Sequence, residues 1–300
     1  MSYTRLLQYR IPLVRGEDVI AVQNQLRALG YASGTADGIY GSRTEEAIRK
    51  FQSAQNLRPD GMVGPLTWNS LFNVDPVTDY QQRLTDLLPE LTQAHTFRDS
   101  ISWALTPDGI SIEGKPAEGS AGDPTTVTRI WRDLRAPLIQ WSSSFGVPVE
   151  LIISTIGTES GGNLHVRARE EPGYISDEET PHRVSPGIMQ TLISTARTAV
   201  GDQGVDRAWL EQPANSIQAG TAYIASQWKS THFDPPKVAC AYNAGGIHYN
   251  QSATNRWKMR QYPIGTDAHA NRFVMWFNDC FKVLRADPEL PEMSFVKLVK

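Results

Sequence analysis

The sequence predicts a mainly α protein built from two units, and three observations carry the prediction. A glycine-punctuated repeat fills the first 75 residues, and each copy runs into a helical stretch. Beyond residue 124, apolar side chains recur at three- and four-residue steps, the spacing of a single helix face. Between these regions stands one hairpin signal, ISWALTPDGISIEGK, in which apolar and polar residues alternate on both sides of Pro107-Asp108-Gly109. A chain of 300 residues has room for two such units at roughly 150 residues per domain. The implied boundaries are 1–75 for the repeat unit, 76–123 for a connecting region with a linker, a helix and the hairpin, and 124–300 for the larger unit.

Within the first unit, Asp37-Gly38-Ile39-Tyr40-Gly41-Ser42-Arg43-Thr44 returns as Asp60-Gly61-Met62-Val63-Gly64-Pro65-Leu66-Thr67, with Asp, Gly, Gly and Thr repeating at an offset of 23 residues. Asp-Gly supplies a turn with positive φ, and the second glycine lets the chain enter a helix. In the first copy Ser42 and Glu45 form a capping-box pattern ahead of Ala47, Ile48, Phe51 and Ala54. In the second, Pro65 takes a first-turn position ahead of Leu66, Trp68, Leu71 and Phe72. An earlier helix, from Asp18 to Leu29, carries Val19, Val22 and Leu26 and stops at Gly30. Three short helices joined by glycine turns result.

The stretch Asn73 to Asp79, short, polar and containing Pro76, reads as a linker, and a helix follows around Tyr80 to Thr92. After the hairpin and the loop KPAEGSAGDP, a helix begins near Pro124 with Val127, Ile130, Trp131, Leu134, Leu138 and Trp141 at helical steps. Trp131 and Trp141 read as core residues.

Composition bounds the function. The chain is 40% hydrophobic and 20% charged, with a formal net charge of -3, so it lacks the broad basic excess of a nucleic-acid binder. No run approaches the roughly 18 apolar residues that a membrane-spanning helix needs. The N-terminal MSYTRLLQYRIPLVRGEDV lacks the apolar core of a signal peptide, so a target beyond the membrane implies another route out. Cys240 and Cys280 are too few for a disulfide framework and lack metal-ligand spacing, and they read as reduced thiols. Neither a metal nor a cofactor is expected, and the chain is expected to be a monomer.

One carboxylate stands out. In VPVELIISTIGTESGG, Pro148 suits a helix start and Gly161-Gly162 its end. Ile152, Ile156 and Glu159 fall at i, i+4 and i+7, which puts Glu159 on the apolar face. Apolar surroundings disfavour the charged form of a carboxyl, as a general acid near neutral pH requires. Spacing alone equally allows a helix-end glutamate that bends out to water.

Two resemblances extend these readings. The segment from Gly16 to Phe72 contains LGY, DGxxG, FQ and DGxxGxxTW elements in order and resembles the peptidoglycan-binding domain found on many wall hydrolases. Tyr40 stands where that family often has Phe. The likeness implies binding to wall glycan or stem peptide, with Asp37, Tyr40, Asp60 and Trp68 as candidate contacts. Turn aspartates and core aromatics describe the same four residues equally well.

Farther on, Glu159-Ser160, Ser185-Pro186-Gly187-Ile188-Met189-Gln190, the run Gln212 to Tyr223, and Ala241-Tyr242-Asn243-Ala244-Gly245-Gly246 occur in that order. Together they resemble the ES, GLMQ, N-I-x-x-G-x-x-Y and AYNAG motifs of soluble lytic transglycosylases and goose-type lysozymes, over roughly Leu134 to Phe277. The resemblance implies an α+β, mostly helical, lysozyme-like catalytic domain. It makes Glu159 the catalytic acid/base and places Tyr242 to hydrogen-bond its carboxyl. It implies that Ser160, Ser185, Met189, Gln190, Asn243, Ala244 and Gly245 meet the sugar chain, and it leaves Tyr223 to helix packing. The interval from Ser160 to Ser185 is longer and more charged than in many relatives, which implies an extra flap over the groove. It carries Glu170, Glu171, Asp177, Glu178 and Glu179 as possible second carboxylates, while His165 and His182 read as surface residues.

The implied substrate is the β-1,4 bond between N-acetylmuramic acid and N-acetylglucosamine in bacterial peptidoglycan strands. With one confident carboxylate, the favoured scheme is a lytic transglycosylase that leaves 1,6-anhydromuramic ends. A hydrolase that activates water with a second carboxylate is the alternative, and a non-catalytic wall-binding protein lies farther off. A binding module ahead of a muralytic domain resembles a modular phage endolysin released through a holin, and a virion enzyme or secreted effector fits the same pattern.

Overall fold

Helical spacing, glycine turns and the lone hairpin all reappear in the computed structural model, which describes residues 5–55, 57, 59–72 and 76–299. The first unit holds α1 (Glu17–Ala28), α2 (Ser42–Ala54) and α3 (Pro65–Phe72). Val19, Val22, Leu26, Ile48, Phe51, Trp68 and Leu71 close its core.

Two buried glutamines explain why the sequence repeats. The Gln23 amide donates to Asp37 Oδ1 (2.9 Å), the Ile39 carbonyl (3.1 Å) and Thr44 Oγ1 (3.2 Å), while its oxygen accepts from Gly38 N (2.9 Å). Gln52 makes the same four bonds in the second copy, to Asp60 Oδ1 (2.8 Å), the Met62 carbonyl (2.8 Å), Thr67 Oγ1 (3.0 Å) and Gly61 N (2.8 Å). Each amide satisfies a turn that would otherwise bury unpaired polar groups.

Burial corrects the assignment of Tyr40 and Trp68 as wall contacts. Asp37 and Asp60 are spent on their own turns, each also accepting from the backbone two residues on, at 2.9 and 2.8 Å. Tyr40 is fully buried and donates to the Gly61 carbonyl at 3.0 Å. Trp68 is buried against Phe72, with ring centroids 4.5 Å apart. Tyr40 and Trp68 are core residues, whereas each aspartate uses its Oδ1 on its own turn and Asp37 remains exposed. The capping box also fails to form, because Gly41 is the N-cap, Ser42 is already helical and no side chain caps the end. Glu45 pairs instead with Arg49 at 2.9 Å.

The larger unit begins earlier than the pattern implied. Helix α4 (Pro76–Thr92) starts inside the stretch read as linker, and β1 (Trp103–Thr106) pairs with β2 (Gly109–Ile112) in an antiparallel hairpin. Tyr80, Leu84, Leu91, Trp103, Leu105 and Ile110 join the same core as the helices that follow, so 76–112 belongs to the larger unit rather than to a connector. Close approach fixes the hairpin in place. A Cβ on Gly109 would fall 2.4 Å from Asn278 Oδ1, the atom that accepts from Ile110 N at 2.7 Å.

Next come α5 (Thr125–Phe145), α6 (Val149–Ser160), β3 (Arg169–Glu170), β4 (Val184–Ser185), α7 (Ile193–Val200), α8 (Arg207–Glu211), α9 (Pro213–Ser226), α10 (Trp228–Thr231), α11 (Pro235–Ala244), α12 (Ala268–Arg285) and α13 (Phe295–Leu298). Trp131 lies in the core and donates to Asp287 at 2.8 Å, and Trp141 packs partly buried against the core. Helix α6 packs against α5 and α12 and is buried from Val149 through Thr158, so that stretch has no solvent face. Its polar residues tolerate this because their hydroxyls bond back along the helix. Ser154 donates to the Glu150 carbonyl (2.5 Å), Thr155 to Leu151 (2.8 Å) and Thr158 to Ser154 (2.7 Å). Cys240 and Cys280 are free thiols in the same interior. Among the described residues no helix is long and apolar enough to cross a membrane.

Candidate active site

Helix α6 carries Glu159 out of the core at its last turn, where Gly161 takes the left-handed conformation that ends the helix. The Glu159 side chain is 14% exposed. Burial pushes its pKa up to about 7, and the charges of Arg169 and Arg272 act in the opposite direction. No described residue lies within hydrogen-bond distance of this carboxyl. His269 on α12 faces it, with Nε2 3.6 Å from Oε1. Burial, then the charges of Arg272 and Arg169, lower the His269 pKa to about 4. A neutral imidazole therefore faces a carboxyl that still holds its proton at mildly acidic pH, and the contact is not an ion pair.

The floor below is a hydrogen-bonded chain. Tyr242 on α11 donates to the Met189 carbonyl at 2.9 Å, and the Thr191 hydroxyl meets the Tyr242 oxygen at 2.7 Å. This corrects the expected bond from Tyr242 to the catalytic carboxyl. The tyrosine holds the Met189–Thr191 turn, and its proximity to Glu159 is felt only through charge. Met189 itself is fully buried rather than groove-lining, because its sulfur fills the space left by Gly220. A Cβ on Gly220 would sit 2.5 Å from that sulfur and 2.9 Å from the Tyr242 hydroxyl.

The remaining expected groove residues divide. Gln190 is half-buried at φ 47, an uncommon conformation for a non-glycine residue, and its amide nitrogen donates to the Gly187 carbonyl at 2.9 Å. Asn243 accepts from Tyr262 N at 2.6 Å, and Ala244 and exposed Gly245 follow at the end of α11. Ser160 and Ser185 do not present free hydroxyls. Ser160 donates to the Ile156 carbonyl at 3.1 Å, and Ser185 is buried in β4 opposite Arg169.

The charged interval is a fastened lobe rather than a loose flap. Strands β3 and β4 pair, and Arg207 of α8 bridges Asp177 at 2.8 Å and Glu170 at 3.0 Å. Glu171 pairs with Arg169 at 2.9 Å, while Glu178 and Glu179 are exposed, as are His165 and His182. Among the described residues no group of three His, Cys, Asp or Glu side chains is placed to hold a metal ion.

Comparison with known proteins matches two families to parts of the chain. Residues 15–71 match the peptidoglycan binding domain family, and residues 136–263 match the transglycosylase SLT domain family. The chain joins a peptidoglycan-binding domain to a transglycosylase SLT domain. An N-acetylmuramoyl-L-alanine amidase of Mycobacterium tuberculosis is 38% identical over 206 residues, which is 66% of this chain and 46% of that protein. An uncharacterized protein of Kitasatospora aureofaciens is 46% identical over 57 residues, 19% of this chain and 48% of that protein. The chain thus spans less than half the length of these curated relatives. The crystal structure of a Burkholderia AP3 phage endolysin aligns with 94% of this chain and 100% of its own, at 17% identity and a TM-score of 0.24.

The SLT domain match covers Glu159, Gln190 and Tyr242 but ends before His269 and Arg272. Those two residues, with Arg169, are the part of the site that sequence reasoning missed. They carry no motif of their own and reach Glu159 only through the packing of α12 on α6 and through the lobe.

Proposed function

We propose that the chain cleaves the β-1,4 bond between N-acetylmuramic acid and N-acetylglucosamine in bacterial peptidoglycan as a lytic transglycosylase, with Glu159 as its acid and base. The observation that carries this reading is the mostly buried Glu159 carboxyl at the last turn of α6, with no hydrogen-bond partner among the described residues and a pKa raised to about 7. Glu159 protonates the glycosidic oxygen as the bond to the muramic C1 breaks, and the substrate's N-acetyl carbonyl closes on C1. The Glu159 carboxylate then removes the proton of the C6 hydroxyl. O6 displaces the N-acetyl oxygen from C1, the 1,6-anhydro ring closes, and no water is consumed. Arg169 and Arg272 favour the carboxylate left after the first step, which keeps the group able to work in both directions.

The surroundings support this scheme over an inverting hydrolase. Such a mechanism needs a base about 6.5–9.5 Å from the acid with a free carboxylate aimed at water. Glu170, Glu171 and Asp177 are committed to arginines, and the charges that act on Glu159 are cationic. Gln190, Asn243, Ala244 and Gly245 form the groove wall in this reading, and the N-terminal domain holds the enzyme on the wall polymer. The setting we favour is host-cell lysis by a phage endolysin released through a holin, which expression with and without a co-expressed holin tests through culture lysis.

Replacing Glu159 with Gln keeps the shape and removes the transferable proton. Lysis of purified sacculi is expected to fall by about 10²–10⁴-fold while the fold persists. Near-normal lysis by folded Glu159→Gln protein contradicts the proposal.

A further inference from the structure

A cavity of about 660 Å³ opens where the two units meet, away from Glu159. Its walls come from the N-terminal arm, α4, the end of α5, α7, α9 and α10. Tyr80, Tyr223 and Trp228 supply aromatic surface, with the Arg83 guanidinium 4.4 Å from the Trp228 ring centroid. Four cations line the cavity (Arg5, Arg10, Arg83 and Lys229), and no carboxylate does among the described residues. Arg5 is held by Asp18 at 2.6 Å, whereas Arg10 and Lys229 are exposed and make no ion pair among the described residues. The cavity also backs onto the site, because the Tyr223 ring lies 5.3 Å from the Tyr242 ring.

The size lies within the range of about 300–1,000 Å³ usual for ligand sites, which favour domain interfaces. Charge and surface select the ligand. A neutral glycan would leave Arg10 and Lys229 without counter-charges, and a phosphate polymer has little apolar surface for the aromatic walls. A short acidic peptide with methyl side chains satisfies both. We infer that this cavity binds the acidic stem peptide of the wall polymer, an inference that rests on the peptidoglycan reading above. Its position also supplies aromatic ligand surface that the buried Tyr40 and Trp68 do not.

The test uses full-length Glu159→Gln protein and calorimetric titration with three probes. These are the free tetrapeptide L-Ala-γ-D-Glu-meso-diaminopimelate-D-Ala, the neutral sugar chitotetraose, and poly(glycerol phosphate). The tetrapeptide is expected to bind, more weakly as salt rises, and to lose about tenfold or more in affinity with the double variant Arg10→Glu/Lys229→Glu or with Trp228→Ala. Chitotetraose binding is expected to be the same in all variants. Because Arg10 and Lys229 are exposed, the charge variant should keep the parent's thermal unfolding. Absence of tetrapeptide binding, binding unchanged by both substitutions, or binding of poly(glycerol phosphate) in preference to the peptide each overturns the inference. The tetrapeptide has no glycosidic bond, so its binding reports on the cavity alone. Loss of wall cleavage with peptide binding intact would count only against the catalytic reading.

Discussion

His269 and Glu159 face each other across 3.6 Å with their protonation pushed in opposite directions, the imidazole down to about 4 and the carboxyl up to about 7. Both shifts have burial as their largest cause, so each ring or carboxyl helps keep the other dry. Between those two values the pair is neutral and the proton resides on Glu159.

Opening that contact should therefore change the acid before it changes binding. In His269→Ala, water reaches the carboxyl, its pKa falls and the alkaline limb of the kcat/KM profile moves to lower pH. A drop of one unit cuts the protonated fraction at pH 8 about tenfold. A profile that keeps its limb near pH 7 would show that His269 has no part in holding the proton.

Arg272 should act with the opposite sign. It is exposed, and its charge lowers the Glu159 pKa. Arg272→Ala should move the same alkaline limb to higher pH, and the shift should shrink in high salt, where an exposed charge is screened. An unmoved or acid-shifted limb would contradict the electrostatic account of the site.

Glu159 should also weaken the fold as pH rises. Its folded pKa of about 7 lies above the unfolded value of 4.5, so the folded state binds the proton more tightly. That contribution is complete below pH 4.5 and lost as pH climbs through 7, a loss of about 3 kcal/mol. Glu159→Gln does not titrate, so its stability relative to the parent should grow between pH 4 and pH 8 in thermal unfolding. A difference that stays constant across this range would contradict the raised pKa.

The paired glutamines predict matched losses. Gln23→Ala and Gln52→Ala each remove a buried hub of four hydrogen bonds and leave turn groups without partners. Each should cost about 2–4 kcal/mol in chemical unfolding followed by N-terminal domain signals. A neutral change at either position would show that water replaces the amide.

Much of this was legible in the chain. The Asp-Gly repeats, the proline and glycine boundaries of α6 and the hairpin turn are local chemistry, and local chemistry is written in adjacent residues. Glu159 was legible through its motif company. The full burial of its helix is not legible from spacing, because Ser154, Thr155 and Thr158 are polar residues whose hydroxyls bond back to the helix. Met189 looked like a groove residue because Gly220, far along the chain, makes its pocket. Tyr40 and Trp68 suit binding or core equally well in the sequence, and only their burial decides for the core. The missing signal was the pair Gln23 and Gln52, which recur with the turns they satisfy. His269, Arg169 and Arg272 meet Glu159 only through long-range packing, which no spacing encodes.

Mass spectrometry of the fragments released from purified peptidoglycan tests the central claim most directly. A transglycosylase joins O6 to C1 of the muramic residue, whereas a hydrolase adds water there, so the two products differ by one water. The wild-type chain is expected to yield 1,6-anhydromuramic ends, and Glu159→Gln to yield almost none. Reducing muramic ends from the wild-type chain would contradict the account and give Glu159 a water-activating partner.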